Sequence, residues 1–344
     1  MFFKLLKRFY DTTYNLNYQY AKVIIVIGSL FVMPKDFCMA DRRPNVEVID
    51  TDILDKKEDL GQLDRTKLNI QMSEPEIRFL SYLIRRYKPK KIVEIGVAAG
   101  GSSVVILNAI KNIPNAKLYS IDLCEKMGND HSQRIGFVVD RHFSHLNKSN
   151  WRLYTGNITA KFIDEIGKDI DFVFIDTEHR NPGEILDFLQ ILPYLKRGAI
   201  VVFHDVSCHL LYYPKNKTQW TNCALLNAIK GRKIIPRKDS WEGVELIFPN
   251  IGAIKIENNQ EKFAFDYFNM LTLPWYYFPD EEQIKTLKDF FRKHYDDFCC
   301  NIFERAINEY RQLLSKKYQE ENSILHRFIM FFRAIINRIV HFSF

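Results

Sequence analysis

The sequence predicts an α/β protein built on a doubly wound, mostly parallel sheet, with helical extensions at its N- and C-terminal ends. Three observations carry that prediction. Short apolar runs end in glycine or aspartate at Lys91–Gly96, Lys117–Asp122, Trp151–Gly156, Asp171–Asp176 and Ala199–Asp205, and the stretches between them are long enough for crossover helices. The first run continues as VAAGGSS, a glycine-rich turn that opens a helix. The 344 residues are 47% hydrophobic and 14% aromatic, enough to bury a full core and carry additions.

From the N-terminus, residues 1–10 (MFFKLLKRFY) set Phe2, Phe3, Leu6, Phe9 and Tyr10 at helical spacing with Lys4, Lys7 and Arg8 between them, as in a short basic amphipathic helix. The apolar run Val23–Met33, interrupted by Gly28 and Ser29, is too short to cross a bilayer core of ~30 Å. Pro34–Lys67 is polar and charge-rich and reads as a loop or flap, which makes 1–70 an N-terminal extension. Ser73 stands three residues before Glu76, with Pro75 inside the first turn; this capping-box spacing starts a helix that runs to Tyr87. Pro182–Leu195 supplies the helix before the fifth strand, and Lys196, Arg197 and Gly198 end it. Further strands fall near Arg232–Pro236 and Gly252–Glu257, with Val244–Phe248 as a competing candidate. Residues 261–318 form a helical region: an aromatic loop at Leu271–Pro279, then one or two surface helices over Asp280–Lys317. A terminal amphipathic helix occupies 319–344.

The glycine turn is the place to hold a ligand. Gly96, Gly100 and Gly101 let the backbone turn sharply and approach a bound molecule, and Ser102 and Ser103 put hydroxyls and free N–H groups at a helix N-terminus. The spacing Gly-x-x-x-Gly-Gly departs from the dinucleotide fingerprint, so a pyrophosphate is not the expected ligand. Glu94, just before the turn, would repel a pyrophosphate and suits an ammonium group. S-adenosylmethionine (SAM) carries an ammonium and a carboxylate on its methionine end. Asp122, at the carboxyl edge of the next strand, can accept hydrogen bonds from ribose hydroxyls. Asp176 ends the fourth strand, and His204 and Asp205 end the fifth; these three side chains converge as either a metal site or an acid/base cluster.

On VEIGVAAGGSS, YSID, DFVFIDTEH and LPYLKRGAIVVFHDV, the chain resembles the class I SAM-dependent methyltransferases. Its branch is the one with small-molecule O-methyltransferases and cephalosporin-hydroxylase-like enzymes. The resemblance implies a seven-stranded Rossmann-like methyltransferase fold over 71–260, SAM as cofactor, and Asn157 at the adenine edge. It places His179 where metal-dependent relatives such as catechol O-methyltransferase carry a catalytic lysine, so a neutral His179 would take the acceptor's proton. Asp176 and Asp205 would organise the acceptor oxygen, directly or through a divalent ion. In those relatives Mg²⁺ is bound by an aspartate matching Asp176 and an acid–amide pair matching His204 and Asp205. Histidine at 204 departs from that pattern, since magnesium prefers oxygen donors, and points to a softer divalent ion or none. The implied activity is O-methylation of a hydroxyl on a saccharide, glycan precursor or other small molecule. Rival readings are a membrane-associated SAM-binding protein without turnover and a hydroxylase-like enzyme on the same fold.

The net charge of +7, from 49 basic and 42 acidic residues, is modest and gathers near the ends. That favours an anionic membrane surface over nucleic acid as a partner. In the last segment Arg327, Arg333 and Arg338 share one helical arc, while Phe328, Phe331, Phe332, Ile335, Ile339 and Phe342 share the other. The expected location is the cytoplasm, peripheral at the inner membrane face. Six scattered cysteines without C-x-x-C spacing read as reduced thiols.

Overall fold

In strand β2 (Lys91–Ile95), Ile92 faces one side of the sheet and Val93 and Ile95 belong to the core on the other, and all three are buried. The same alternation divides β5 (Ile170–Ile175) and β6 (Leu195–Phe203): Phe172, Phe174, Ile200 and Val202 join Ile92, whereas Val173, Ile175, Val201 and Phe203 join Val93. The sheet is therefore the middle layer of three, covered by apolar side chains on both faces. The computed structural model describes residues 45–51, 63–211, 220–241, 244–245, 248–257 and 259–316, all within one compact unit that begins at Asn45. The expected helices over 1–10 and 319–344 and the run Val23–Met33 lie outside the described residues.

The remaining strands are β1 (Val46–Ile49), β3 (Lys117–Asp122), β4 (Trp151–Thr155), β7 (Gly231–Pro236), the two-residue β8 (Ser240–Trp241) and β9 (Val244–Glu245), and β10 (Gly252–Ile256). The main sheet runs β1-β7-β10-β6-β5-β2-β3-β4; only β10 is antiparallel to its neighbours. From β2 the chain first winds outward through β3 and β4, then returns to lay β5 on the other side of β2. The strand order thus reverses between β2 and β5, the switch point outside whose carboxyl ends open α/β sheets bind ligands.

Eight strands replace the expected seven. The additional one, β1, pairs in parallel with β7 from Val46 opposite Lys233 to Ile49 opposite Pro236, inside the stretch expected to be loop or flap. At the competing strand candidate, Val244–Glu245 pairs with Ser240–Trp241 as the small antiparallel ribbon β8–β9. The helix before β6 covers Gly183–Ile191 and tightens into a single 3₁₀ turn over Leu192–Tyr194, because Pro193 has no N–H to continue the α-helical ladder. Strand β6 accordingly starts at Leu195 rather than Ala199. The helix Glu74–Tyr87 begins as expected: Ser73 Oγ accepts from the Glu76 amide, and the Glu76 carboxylate accepts from the Ser73 amide.

The C-terminal helices Ala264–Asn269, Glu281–His294 and 297–316 are part of the core rather than an appendage. Ile284, Leu287 and Phe291 recur at helical spacing and pack in the same cluster as Val173, Ile175 and Phe203. Phe291 meets Phe268 and Phe303 edge-on, each at 5.0 Å between ring centroids. Among the described residues no helix is long and apolar enough to cross a membrane.

Candidate active site

The turn after β2 is shaped by what surrounds it. Gly96 has φ +88°, and a Cβ there would lie 1.9 Å from the carbonyl oxygen of Asp176, so only glycine lets the ends of β2 and β5 meet. Asp122 holds the turn: its Oδ2 accepts from the amides of Val97 (2.9 Å) and Ala98 (3.0 Å), and its Oδ1 accepts from the Cys124 amide (2.8 Å). A carboxylate has about four acceptor positions. Three are taken by these backbone bonds, so Asp122 staples the loop before it can hold a ribose.

Glu94 does not face a ligand. It is fully buried, and its carboxylate accepts from the hydroxyls of Ser102 (2.6 Å), Ser103 (2.6 Å) and Ser120 (2.5 Å). The Trp151 indole N–H donates to Ser120 Oγ at 2.9 Å and completes the cluster. Burial pushes the Glu94 carboxyl up to about 7, against the lowering effect of the three hydroxyls. Glu94, Ser102 and Ser103, expected to bind cofactor, instead form a brace beneath the turn. Gly101 is covered as well, since a Cβ there would stand 2.4 Å from the Leu68 carbonyl oxygen. A Cβ on Gly100 (φ +96°) would lie 2.9 Å from Gly136 Cα. Glu94, Gly100, Gly101, Ser102 and Ser103 do not line the cleft at the switch point; Gly96, Asp122, Asn157 and Asp176 do.

That cleft has a volume of ≈ 350 Å³, within the range of small-molecule sites. Four carboxylates line it, from Asp122, Asp176, Glu178 and Asp187, and among the described residues its lining contains no lysine, arginine or histidine. Asp187, on the helix Gly183–Ile191, accepts from Thr177 Oγ1 at 2.7 Å through Oδ2, and burial pushes its carboxyl up to about 6. Thr177 stands within the motif DFVFIDTEH, whereas Asp187 lies outside every motif, and finding it requires knowing which face of its helix turns to the sheet. Asn157 accepts from the Ile158 amide at 3.0 Å, which fixes its side chain at the cleft wall.

Beside the cleft stands a cluster of carboxylates and imidazoles. His179 Nε2 lies 2.8 Å from Asp205 Oδ2 and 4.0 Å from Asp176 Oδ1, and His179 Nδ1 lies 3.0 Å from Oε1 of Glu184. Burial disfavours a charge on His179, but its bonds to Asp205 and Glu184 outweigh that and hold its pKa well above the usual imidazole range. Glu184 is itself completely buried, and burial pushes its carboxyl up to about 7 against the pull of His179. Asp205 sits in the left-handed region at φ +54°, a strained conformation for a non-glycine residue, and accepts from Asn250 Nδ2 at 2.6 Å.

Asp176, His179 and Asp205 bring one donor atom each to within 4.8 Å of one another, a set that could hold a metal ion. The expected triad contained His204 in place of His179. His204 is buried deeper: Nδ1 lies 3.3 Å from Asp176 Oδ1, while Nε2 points to Glu76 Oε1 at 3.2 Å, toward the capping box of the helix Glu74–Tyr87. Burial disfavours its charge, but its neighbours Asp176, Asp205 and Glu76 outweigh that and raise its pKa.

A glycine turn after the first central strand, an aspartate ending the next, and a cleft at the switch point are the layout of a Rossmann-like methyltransferase fold. Residues 93–206, from β2 to the turn after β6, match the family model described as a methyltransferase domain. No curated protein matches the chain. Solved structures similar to it include the O-methyltransferase TomG of Streptomyces achromogenes, involved in tomaymycin synthesis and bound to SAM, with 17% identity and a TM-score of 0.42 over 54% of this chain and 81% of that one. An O-methyltransferase of Bacillus cereus in complex with S-adenosylhomocysteine (SAH) is similar at 16% identity and a TM-score of 0.41, over 55% of this chain and 85% of its own. The SAH-bound methyltransferase PaMTH1 of Podospora anserina shares 15% identity, with a TM-score of 0.39 over 54% of this chain and 80% of its own.

Proposed function

We propose that the protein is a SAM-dependent O-methyltransferase acting on a hydroxyl of a small molecule. The observation that carries this reading is the lining of the cleft: among the described residues four carboxylates and no cationic side chain line it, with Glu178 paired to Arg180 and Asp176 facing His204 from outside the lining, so that Asp122 and Asp187 carry most of the free negative charge. Such a wall repels nucleotide phosphates and attracts a ligand with a sulfonium and an ammonium. Transfer of the methyl group removes the sulfonium charge, which weakens the attraction for the product and favours its release.

Asp176 borders both the cleft and the cluster, so it sets the methyl donor next to the acceptor oxygen. Alignment of those two reactants is the larger part of the catalytic task for a direct displacement. Asp176, His179 and Asp205 would hold a divalent ion. The fit rests on what stands behind them: buried Glu184 orients His179 through Nδ1, and Asn250 orients Asp205, as outer groups orient metal ligands. Two carboxylates with an imidazole favour an ion softer than magnesium. Such an ion, when bound, lowers the pKa of a hydroxyl and acts as a Lewis acid. Without it, the linked His179, Asp205 and Glu184 are the groups within reach of the departing proton.

For the acceptor we favour a saccharide or glycan precursor, because Trp220 stacks on His179 at 6.3 Å and Arg180 lies over the rings of Trp220 and Tyr276, an aromatic and cationic surface beside the cluster that suits the faces and hydroxyls of a sugar. The basic, Phe-rich segments 1–10 and 324–344 support action in the cytoplasm at an anionic membrane face. Incubating the purified protein with cell extract and methyl-labelled SAM, then identifying labelled products by mass spectrometry, tests the activity. A labelled O-methyl product supports it; label that stays in SAM, with and without added divalent ions, leaves a binding protein without turnover.

A further inference from the structure

Four residues that line the cleft come from outside the matched methyltransferase segment: Tyr277, Pro279, Gln283 and Leu287. They belong to the aromatic loop and to the helix Glu281–His294, which the sequence alone assigned to a separate helical region. Beside its carboxylates the cleft carries apolar surface from Leu123, Ile158, Leu186, Tyr277 and Leu287. Leu123, 50% exposed, lies at the open side of this lining.

The wall made by this segment is rigid. Asp280 caps the helix by accepting from the Gln283 amide at 2.8 Å, and Gln283 Oε1 accepts in return from the Asp280 amide at 3.1 Å. Behind Tyr277, Phe278 and Trp275 both stack on Tyr310, each with 5.6 Å between centroids. The same loop is bonded to the loop that carries Asp176 and His179: buried Asn181 donates to the Leu273 carbonyl at 2.7 Å and accepts from the Tyr276 amide at 2.6 Å. The backbone on both sides of Tyr277 is therefore tied to the rest of the domain. Burial, with Asp187 and Glu178 nearby, pushes its hydroxyl pKa up and keeps it neutral.

We infer that the C-terminal segment Tyr277–Leu287 forms the wall against which the adenine ring of the cofactor packs, with Tyr277 and Leu287 as binding residues. The inference rests on the reading of the cleft as a SAM site. It makes the C-terminal helices a working part of the cofactor site, and it accounts for their burial in the domain core.

The test is calorimetric titration of SAH into the full-length wild-type protein and the Tyr277→Ala and Leu287→Ala variants, each repeated with adenosine as competitor. Phe298→Ala, in an exposed ring pair with Phe265 on the same helices and away from the cleft, serves as control. The expected result is a loss of affinity for SAH of roughly tenfold or more in Tyr277→Ala. Adenosine should compete less well in the same variant, and Phe298→Ala should match wild type. Leu287 is a core residue, so ligand-free melting accompanies its variant, and Tyr277→Ala decides the matter if Leu287→Ala unfolds. Wild-type affinity for SAH in a folded Tyr277→Ala variant overturns this inference and leaves the SAM reading standing. Failure of the wild-type protein to bind SAH overturns the SAM reading and this inference with it.

Discussion

His179 Nδ1 lies 3.0 Å from Oε1 of Glu184, a carboxylate with no exposure to solvent that accepts its bond from inside the protein. This pairing leaves Nε2 as the only ring nitrogen turned toward Asp176 and Asp205. Removing the charge of Glu184 while keeping its shape, as in Glu184→Gln, should loosen that control. Turnover, or affinity for a divalent ion, is expected to fall about 10- to 100-fold with SAM affinity little changed. Equal turnover in the variant would show that Glu184 only fills space.

His179, Asp176 and Asp205 should be separable by kinetics. His179→Ala is expected to lower kcat by roughly 10²-fold or more with SAM affinity nearly unchanged. Asp176→Asn and Asp205→Asn should behave like chelation of the wild-type protein, and added divalent ion should restore only the chelated wild type. Full activity after thorough chelation removes the metal from the account and leaves the proton-transfer role.

Glu94 predicts a stability that depends on pH. Its carboxyl is raised from the ordinary 4.5 to about 7 in the folded protein, because burial disfavours the charge. A folded pKa above the unfolded one means that the folded state holds the proton more tightly. The stabilisation is complete below about pH 4.5 and is lost as pH rises through about 7, a contribution on the order of 3 kcal/mol. Urea unfolding midpoints across that window should decline with pH in the wild type and flatten in Glu94→Gln. A wild-type midpoint that rises through the same window would falsify this assignment.

The terminal segments yield a prediction from sequence alone. Full-length protein should sediment with anionic vesicles, each basic residue near the surface contributing ~1 kcal/mol. A chain ended after Lys317 should lose most of that binding. Undiminished sedimentation of the shortened chain would acquit the segment 319–344 as the main anchor.

Much of the sheet was legible because its signals are local: β2, β3, β4 and β5 are short apolar runs closed by glycine or aspartate, and Ser73 with Glu76 announces its helix within four residues. The strand β1 escaped because its four residues carry little signal and its partner β7 lies far along the chain. At the site, the switch point placed Asp176 and Asp205 correctly beside each other. His204, adjacent to Asp205 at a strand end, turns instead toward Glu76, as alternation along extended backbone favours. The surroundings of Glu94 were not legible, because its position on a strand says nothing of whether a loop folds over it, and three serines from two elements close around it here. Asp187 and Tyr277 reach the cleft from two different helical regions, a juxtaposition created only by tertiary packing.

The most direct measurement is calorimetric titration of SAM and SAH into the full-length protein, with ATP and NAD as comparison ligands and Asp187→Asn as the variant. A cleft lined by Asp122, Asp176, Glu178 and Asp187 should bind SAM and SAH at a single site, reject both phosphate-bearing ligands, and hold SAM less tightly when the Asp187 charge is removed. Binding of ATP or NAD in preference to SAM, or no saturable binding of SAM or SAH at all, would contradict the account.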